Sequence, residues 1–81
     1  MGPRPTPQLR SRLRVARAER NLSQEGLAEA VDVSRQTISS IETGQYCPST
    51  VLSLRLARAL GEPINTLFWL EGDRDEEPAR T

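Results

Sequence analysis

The sequence predicts an all-α fold, a compact domain of five short helices. In five separate segments, apolar residues recur every three or four positions. Most of these segments begin at serine or threonine, which cap helix N-termini, and stop at glycine or asparagine, which favour helix C-termini. No segment of useful length alternates apolar and polar residues as a half-buried strand would. A chain of 81 residues has room for one domain with a small core.

The first helix is predicted over residues 7–20. Thr6 and Pro7 suit its N-cap and first helical position, and Asn21 tolerates the left-handed conformation that ends a helix. The second helix is predicted from Ser23 to about residue 30. The residues expected to face the core are Leu9, Leu13 and Ala16 in the first helix, and Leu27, Ala28 and Val31 in the second.

The remaining three helices follow after short connections. They are predicted from Ser34 to Gly44, from Ser49 or Thr50 to Gly61, and over residues 63–70. Their inward residues are predicted to be Ile38 and Ile41, then Leu52, Leu56, Ala59 and Leu60, then Ile64, Leu67 and Phe68. Only about three residues join the second helix to the third, with Asp32 and Val33 in the turn, so the pair is expected to cross steeply. An ordinary corner of a helical bundle is the alternative.

Composition divides the chain into a flexible arm over residues 1–6, a folded domain over 7–70 and an acidic flexible tail over 71–81. Residues 1–60 carry nine arginines against five acids, whereas residues 61–81 carry two arginines against six acids. A basic body is compatible with an anionic partner, although an excess of this size also fits an ordinary solvated surface.

Several classes of function are unlikely on composition. The chain has no histidine and a single cysteine, Cys47, so we expect no metal site, no cofactor and no disulfide. A nucleophile with a neighbouring base is not visible, so we expect no enzyme and no catalytic residue. The sequence also lacks a membrane-spanning run and a signal-peptide pattern, and no small-molecule ligand is evident. A cytoplasmic protein is the expectation.

The third helix has one face that does not look built for packing. If Ile38 and Ile41 define its inward direction, then Gln36, Ser39, Ser40 and Thr43 point outward, with Arg35 beside them. Arginine can make two hydrogen bonds to guanine, and glutamine can make two to adenine. This face therefore favours contact with the base edges of double-stranded DNA.

Residues 22–49, LSQEGLAEAVDVSRQTISSIETGQYCPS, resemble the helix-turn-helix of Cro/CI-type (XRE-family) DNA-binding repressors. The LSQ opening, the SRQTI segment and the IE-x-G close all match in order, and the similarity extends over residues 8–70. The resemblance implies a lambda-repressor-like fold. Within the family, the chain is most similar to small stand-alone regulators. Asp32 departs from the glycine usual in the turn, and Gln45 from a common lysine.

The resemblance also implies roles for individual residues. Base-reading positions correspond to Arg35, Gln36 and Ser40. Positions that contact the DNA backbone or support the recognition helix correspond to Gln24, Ser34, Thr37, Ser39, Thr43, Gln45, Tyr46 and Ser49. For Tyr46, packing within the loop is an equal alternative. Arg17 and Glu42 match an ion pair that positions the recognition helix.

One helix in a groove contacts few base pairs, so this class usually binds DNA as a symmetric homodimer. Three consecutive apolar residues cannot all face one side of a helix, which leaves Trp69 pointing away from Phe68. We therefore assign Trp69, with Ile64, Phe68 and Leu70, to the dimer interface. The alternative is that Trp69 covers the edge of its own core.

The sequence thus predicts a transcriptional regulator, by expectation a repressor, that binds a palindromic operator. Two other roles use the same fold. An antitoxin would need a toxin-binding surface or extension, and this chain adds only a polar arm and an acidic tail. A restriction-modification controller would be of similar size.

Overall fold

This computed structural model describes residues 8–72 of the chain. Five helices and two short strands, joined by short turns and loops, lie within this range. In chain order they are β1 (Leu9–Ser11), α1 (Leu13–Glu19), α2 (Gln24–Val31), α3 (Arg35–Glu42), α4 (Thr50–Leu60), α5 (Ile64–Leu67) and β2 (Phe68–Leu70). The five helices agree with the predicted all-α domain. The predicted arm of residues 1–6 and residues 73–81 of the predicted tail lie outside the described residues.

One apolar core joins all five helices. Its members are Leu13, Ala16, Leu27, Ala28, Val31, Ile38, Ile41, Leu52, Leu56, Ala57, Leu60, Leu67 and Phe68. The helical spacing predicted nearly all of these positions. On α4, however, Ala57 is buried and Ala59 is exposed, so the prediction for Ala59 was wrong. Leu9, Val33 and Ile64 pack against the core from its edge.

Serine caps fix where the three central helices begin. The hydroxyl oxygens of Ser23, Ser34 and Ser49 accept hydrogen bonds from backbone N–H groups three residues onward, at 2.9, 3.1 and 3.1 Å. Asp32 closes α2 in the left-handed conformation, with φ of 62°, which aspartate tolerates better than most residues. The connection from α2 to α3 is therefore short and has a defined geometry.

The predicted start of the first helix was wrong. Helix α1 begins at Leu13, and residues 9–11 form β1 instead, while the proposed cap at Thr6 and Pro7 lies outside the described residues. Strand β1 pairs antiparallel with β2, with Arg10 opposite Trp69. Backbone bonds from Arg12 to Leu67 and from Glu71 to Gln8 continue the ladder at both ends. A two-stranded sheet thus joins the two ends of the domain.

The last helix is also shorter than predicted. It ends at Leu67, because Phe68 takes extended dihedral angles with φ of −130° and ψ of 143°. Phenylalanine and tryptophan favour strands, and pairing with β1 provides partners for the backbone of this segment. The FWL triplet is therefore a strand, and the helical geometry assumed for Trp69 was wrong.

An ion-pair cluster connects the start of α1 to the turn between α4 and α5. The Arg12 guanidinium donates hydrogen bonds to the carboxylates of Glu62 and Glu19, and Arg20 lies 3.2 Å from Glu62. Hydrogen bonding from Arg12 lowers the pKa of Glu62, while burial opposes the shift. The cluster holds the sheet end of the domain against α4.

Candidate nucleic-acid interface

Helix α3 has one face in the core and one face in solvent. Ile38 and Ile41 are 0% and 3% exposed, respectively. Arg35 and Gln36 are exposed on the opposite side, and Ser40 is half-buried. The structure thus places the three predicted base-reading residues on one turn and a half of helix, with the two longest side chains at its N-terminal end.

An ion pair fastens the C-terminal end of α3 to α1. Arg17 binds the Glu42 carboxylate through two nitrogens, with Nε at 2.8 Å from Oε2 and Nη2 at 3.4 Å from Oε1. The Glu42 side chain is fully buried and that of Arg17 is 16% exposed. Arg17 also donates to the backbone carbonyl of Leu22 at 2.9 Å. These bonds hold α3 against α1 and tie α1 to the segment before α2.

Gln24 connects this ion pair to the exposed face. Its Nε2 donates to Glu42 Oε1 at 3.0 Å, and its Oε1 accepts a bond from Arg35 Nη1 at 3.4 Å. Gln24 thus contacts α3 at both of its ends, and its role in bracing that helix stays a prediction. A hydrogen bond from Gln24 to a DNA phosphate stays a prediction. In the unbound protein, the nitrogen and the oxygen of its side-chain amide both have partners within the protein.

The Gln24–Arg35 contact and the approach of Arg14 Nε to within 3.8 Å of Glu42 were not predicted from the sequence. Both Gln24 and Arg35 occupy the first position of their helix, directly after a serine cap. In a tight helix-turn-helix, the first residues of the two helices could have been expected to lie close together, and this would have indicated the contact.

The loop after α3 folds back against the recognition helix. The backbone N–H groups of Gln45 and Tyr46 both donate to the Ser40 carbonyl, at 2.9 and 3.2 Å. Tyr46 is 47% exposed. Gln36, Thr37, Ser40, Gln45 and Tyr46 together line an open groove of about 310 Å³, which we call the α3 groove.

Several hydroxyls predicted to contact the DNA backbone have partners inside the protein. Thr37 Oγ1 and Ser34 Oγ are 2.9 Å apart, and Thr43 Oγ1 donates to the carbonyls of Ser39 and Ser40. The Ser49 hydroxyl caps α4. These groups support the geometry of α3 and the loop, and any contact they make with DNA stays a prediction.

The four residues assigned to a dimer interface are not equally accessible. Phe68 is only 8% exposed and belongs to the core. Ile64 is partly buried and packs against the core cluster. Trp69 is half-buried on β2, and Leu70 is 44% exposed. Of the four, Leu70 has the most surface to offer a partner, Trp69 and Ile64 have some, and Phe68 has little.

Residues 8–72 contain no cluster of three or more histidine, cysteine or acidic side chains that could hold a metal ion. Over the same described residues, no helix is both long enough and apolar enough to cross a bilayer. The site therefore consists of hydrogen-bonding side chains on a short helix, held at one end by a serine cap and at the other by a buried ion pair. Fold and site together define a helix-turn-helix DNA-binding protein.

A helix-turn-helix family model matches residues 13–67, and the chain belongs to this family, the XRE type. An uncharacterised HTH-type transcriptional regulator of Methanothermobacter thermautotrophicus is 50% identical over 66 residues, which cover 80% of this chain and 96% of that protein. The uncharacterised regulator YgzD of Bacillus subtilis is 40% identical over 63 residues, covering 78% and 96%. The crystal structure of the restriction-modification controller protein C.AhdI of Aeromonas hydrophila is similar, with 38% identity, a TM-score of 0.65 and coverage of 68% and 83%. The protein is accordingly a DNA-binding transcriptional regulator and not an enzyme.

Proposed function

We propose that this regulator is a sequence-specific repressor that binds a palindromic operator as a homodimer, with α3 in the major groove. The observation that carries the proposal is the solvent side of α3, where Arg35 and Gln36 are exposed and Ser40 is half-buried, while two isoleucines of the same helix are buried in the core. Arginine and glutamine are side chains that distinguish guanine and adenine by paired hydrogen bonds. A bound dimer that covers promoter DNA represses by excluding polymerase.

Dimerisation supplies the second half of the readout. Two copies of α3 must lie about 34 Å apart to enter successive major grooves on one side of the duplex. We assign Trp69, Leu70 and Ile64 to the interface, because Leu70 is exposed and Trp69 and Ile64 are partly exposed. Side chains alternate along β2, so Trp69 lies on the face of the sheet opposite Phe68 and Leu70. Phe68 is a core residue and contributes little surface.

Selection of bound duplexes from a random pool tests the proposal directly. We expect an enriched sequence with two inverted half-sites, and a promoter carrying it should be silenced by the wild-type protein but not by Arg35→Ala. Failure to enrich any sequence at low salt would refute sequence-specific binding. An enriched single half-site would refute the homodimer while leaving the base contacts intact.

The similarity to C.AhdI favours a restriction-modification controller as a second candidate function. A controller would bind near genes for a restriction-modification system. Mapping the bound sites in the source genome separates the two roles. A controller should bind beside restriction-modification genes, whereas a general repressor should also bind beside other genes.

A further inference from the structure

The α3 groove combines two kinds of surface. Gln36 offers an amide, and Tyr46, a residue that is 47% exposed, offers an aromatic ring. The groove opens on the solvent face of α3 and is continuous with the proposed base-reading turn, since Gln36 and Ser40 belong to both. A group that enters it from the major groove would touch the ring and the amide together.

The groove is lined by four polar side chains and by the ring of Tyr46, and some of its polar groups are engaged within the protein. The N–H groups of Gln45 and Tyr46 bond the Ser40 carbonyl. The Thr37 hydroxyl is 2.9 Å from that of Ser34, so one of its hydrogen-bonding sites is used within the protein. Tyr46 supplies the one aromatic ring among the five lining residues, so its ring is the part of the groove suited to a small apolar group beside the base that Gln36 would read.

We propose that Tyr46 is a specificity-determining residue, whose ring packs on the 5-methyl group of a thymine next to the base read by Gln36. In the major groove, thymine is the base that presents a methyl group. The proposal rests on the proposed function, because it requires α3 in that groove. It assigns Tyr46 to base recognition, where the resemblance to repressors implied only contact with the backbone.

The competing arrangement is a hydrogen bond from the Tyr46 hydroxyl to a phosphate. The two arrangements use different atoms of the same side chain. Phenylalanine keeps the ring and removes the hydroxyl, whereas alanine removes both. Replacing thymine by deoxyuridine removes only the methyl group from the DNA.

The test uses the operator obtained by selection, with each thymine of one half-site replaced in turn by deoxyuridine. Affinities are measured for the wild type, Tyr46→Phe and Tyr46→Ala, after circular dichroism has shown equal folding. At one position, the replacement of thymine should lower the affinity of the wild type and of Tyr46→Phe by about fourfold. This factor corresponds to roughly 0.8 kcal/mol for one buried methyl group. At that position, Tyr46→Ala should bind the thymine duplex and the deoxyuridine duplex with equal affinity.

Other results overturn the assignment. If all three proteins respond alike at every thymine, or if the wild type responds at none, Tyr46 does not read a methyl group. If Tyr46→Phe weakens binding to every duplex as much as Tyr46→Ala does, Tyr46 is a phosphate contact. If the Tyr46→Ala protein is unfolded, Tyr46→Ser takes its place as the variant without a ring. Absence of any enriched operator would instead be a failure of the proposed function itself.

Discussion

Replacement of Glu42 by glutamine tests how the recognition helix is held. The Glu42 side chain is fully buried and accepts two bonds from Arg17 and one from Gln24. Glutamine keeps the shape of the side chain but removes the charge. The variant therefore leaves the Arg17 guanidinium without its anionic partner, on an otherwise unchanged scaffold.

The expected loss follows from the burial of the two partners. Removing one member of a buried ion pair typically costs about 3–5 kcal/mol, because the other charge stays uncompensated. Arg17 is 16% exposed and keeps its bond to the Leu22 carbonyl, so we expect a smaller loss of about 2–3 kcal/mol. For a domain of this size, that lowers the thermal midpoint by about 10–20 °C.

Thermal denaturation followed by circular dichroism measures the effect. Glu29→Gln is the matched control, since Glu29 is exposed on α2, and it should change stability by less than about 0.5 kcal/mol. Adding Arg17→Met to Glu42→Gln should restore part of the loss, because it removes the uncompensated charge. A Glu42→Gln protein as stable as the control, or a double variant with fully additive losses, would refute the reasoning.

Three further predictions concern DNA readout, assembly and acid stability. Arg35→Ala should weaken binding to the selected operator by about 1–3 kcal/mol and binding to random DNA far less; equal losses in titrations against the two duplexes would make Arg35 a phosphate contact. Trp69→Ala should sediment as a folded monomer at micromolar concentration, and a variant that stays dimeric would contradict the proposed interface. Arg12 holds the pKa of Glu62 below its ordinary value of 4.5, so charged Glu62 stabilises the fold above that pH, and its contribution is lost as the pH falls further. Glu62→Gln should therefore lose less thermal stability than wild type between about pH 5 and pH 3, and identical profiles for the two proteins would rule this out.

The central helices could be predicted from the sequence because their boundaries are local. Ser23, Ser34 and Ser49 each cap a helix through their own hydroxyl, and Gly61 ends α4 in the left-handed conformation. The isoleucine spacing in α3 likewise determines which residues face solvent. These signals need no knowledge of distant parts of the chain.

The sheet could not be predicted in this way. Strands of three residues are too short for an alternating pattern, and the partner of Arg10 lies 59 positions along the chain, at Trp69. The cluster of Arg12 and Glu62 has the same long-range character, with 50 positions between the two residues. In both cases, the packing of the helices creates the pairing, and local propensity has no means of indicating it.

Arg35 lies where the packed framework meets the proposed reading surface. Its Nη1 donates to Gln24 Oε1, and Glu42 holds the other end of the same amide. A free arginine side chain carries roughly 2 kcal/mol of rotamer entropy, which opposes its fixation on a base edge. The contact with Gln24 is 3.4 Å long and exposed, so it biases the guanidinium and would remove only a part of that entropy before DNA binds. The buried ion pair that positions the helix thus acts, through Gln24, on the side chain proposed to read the base.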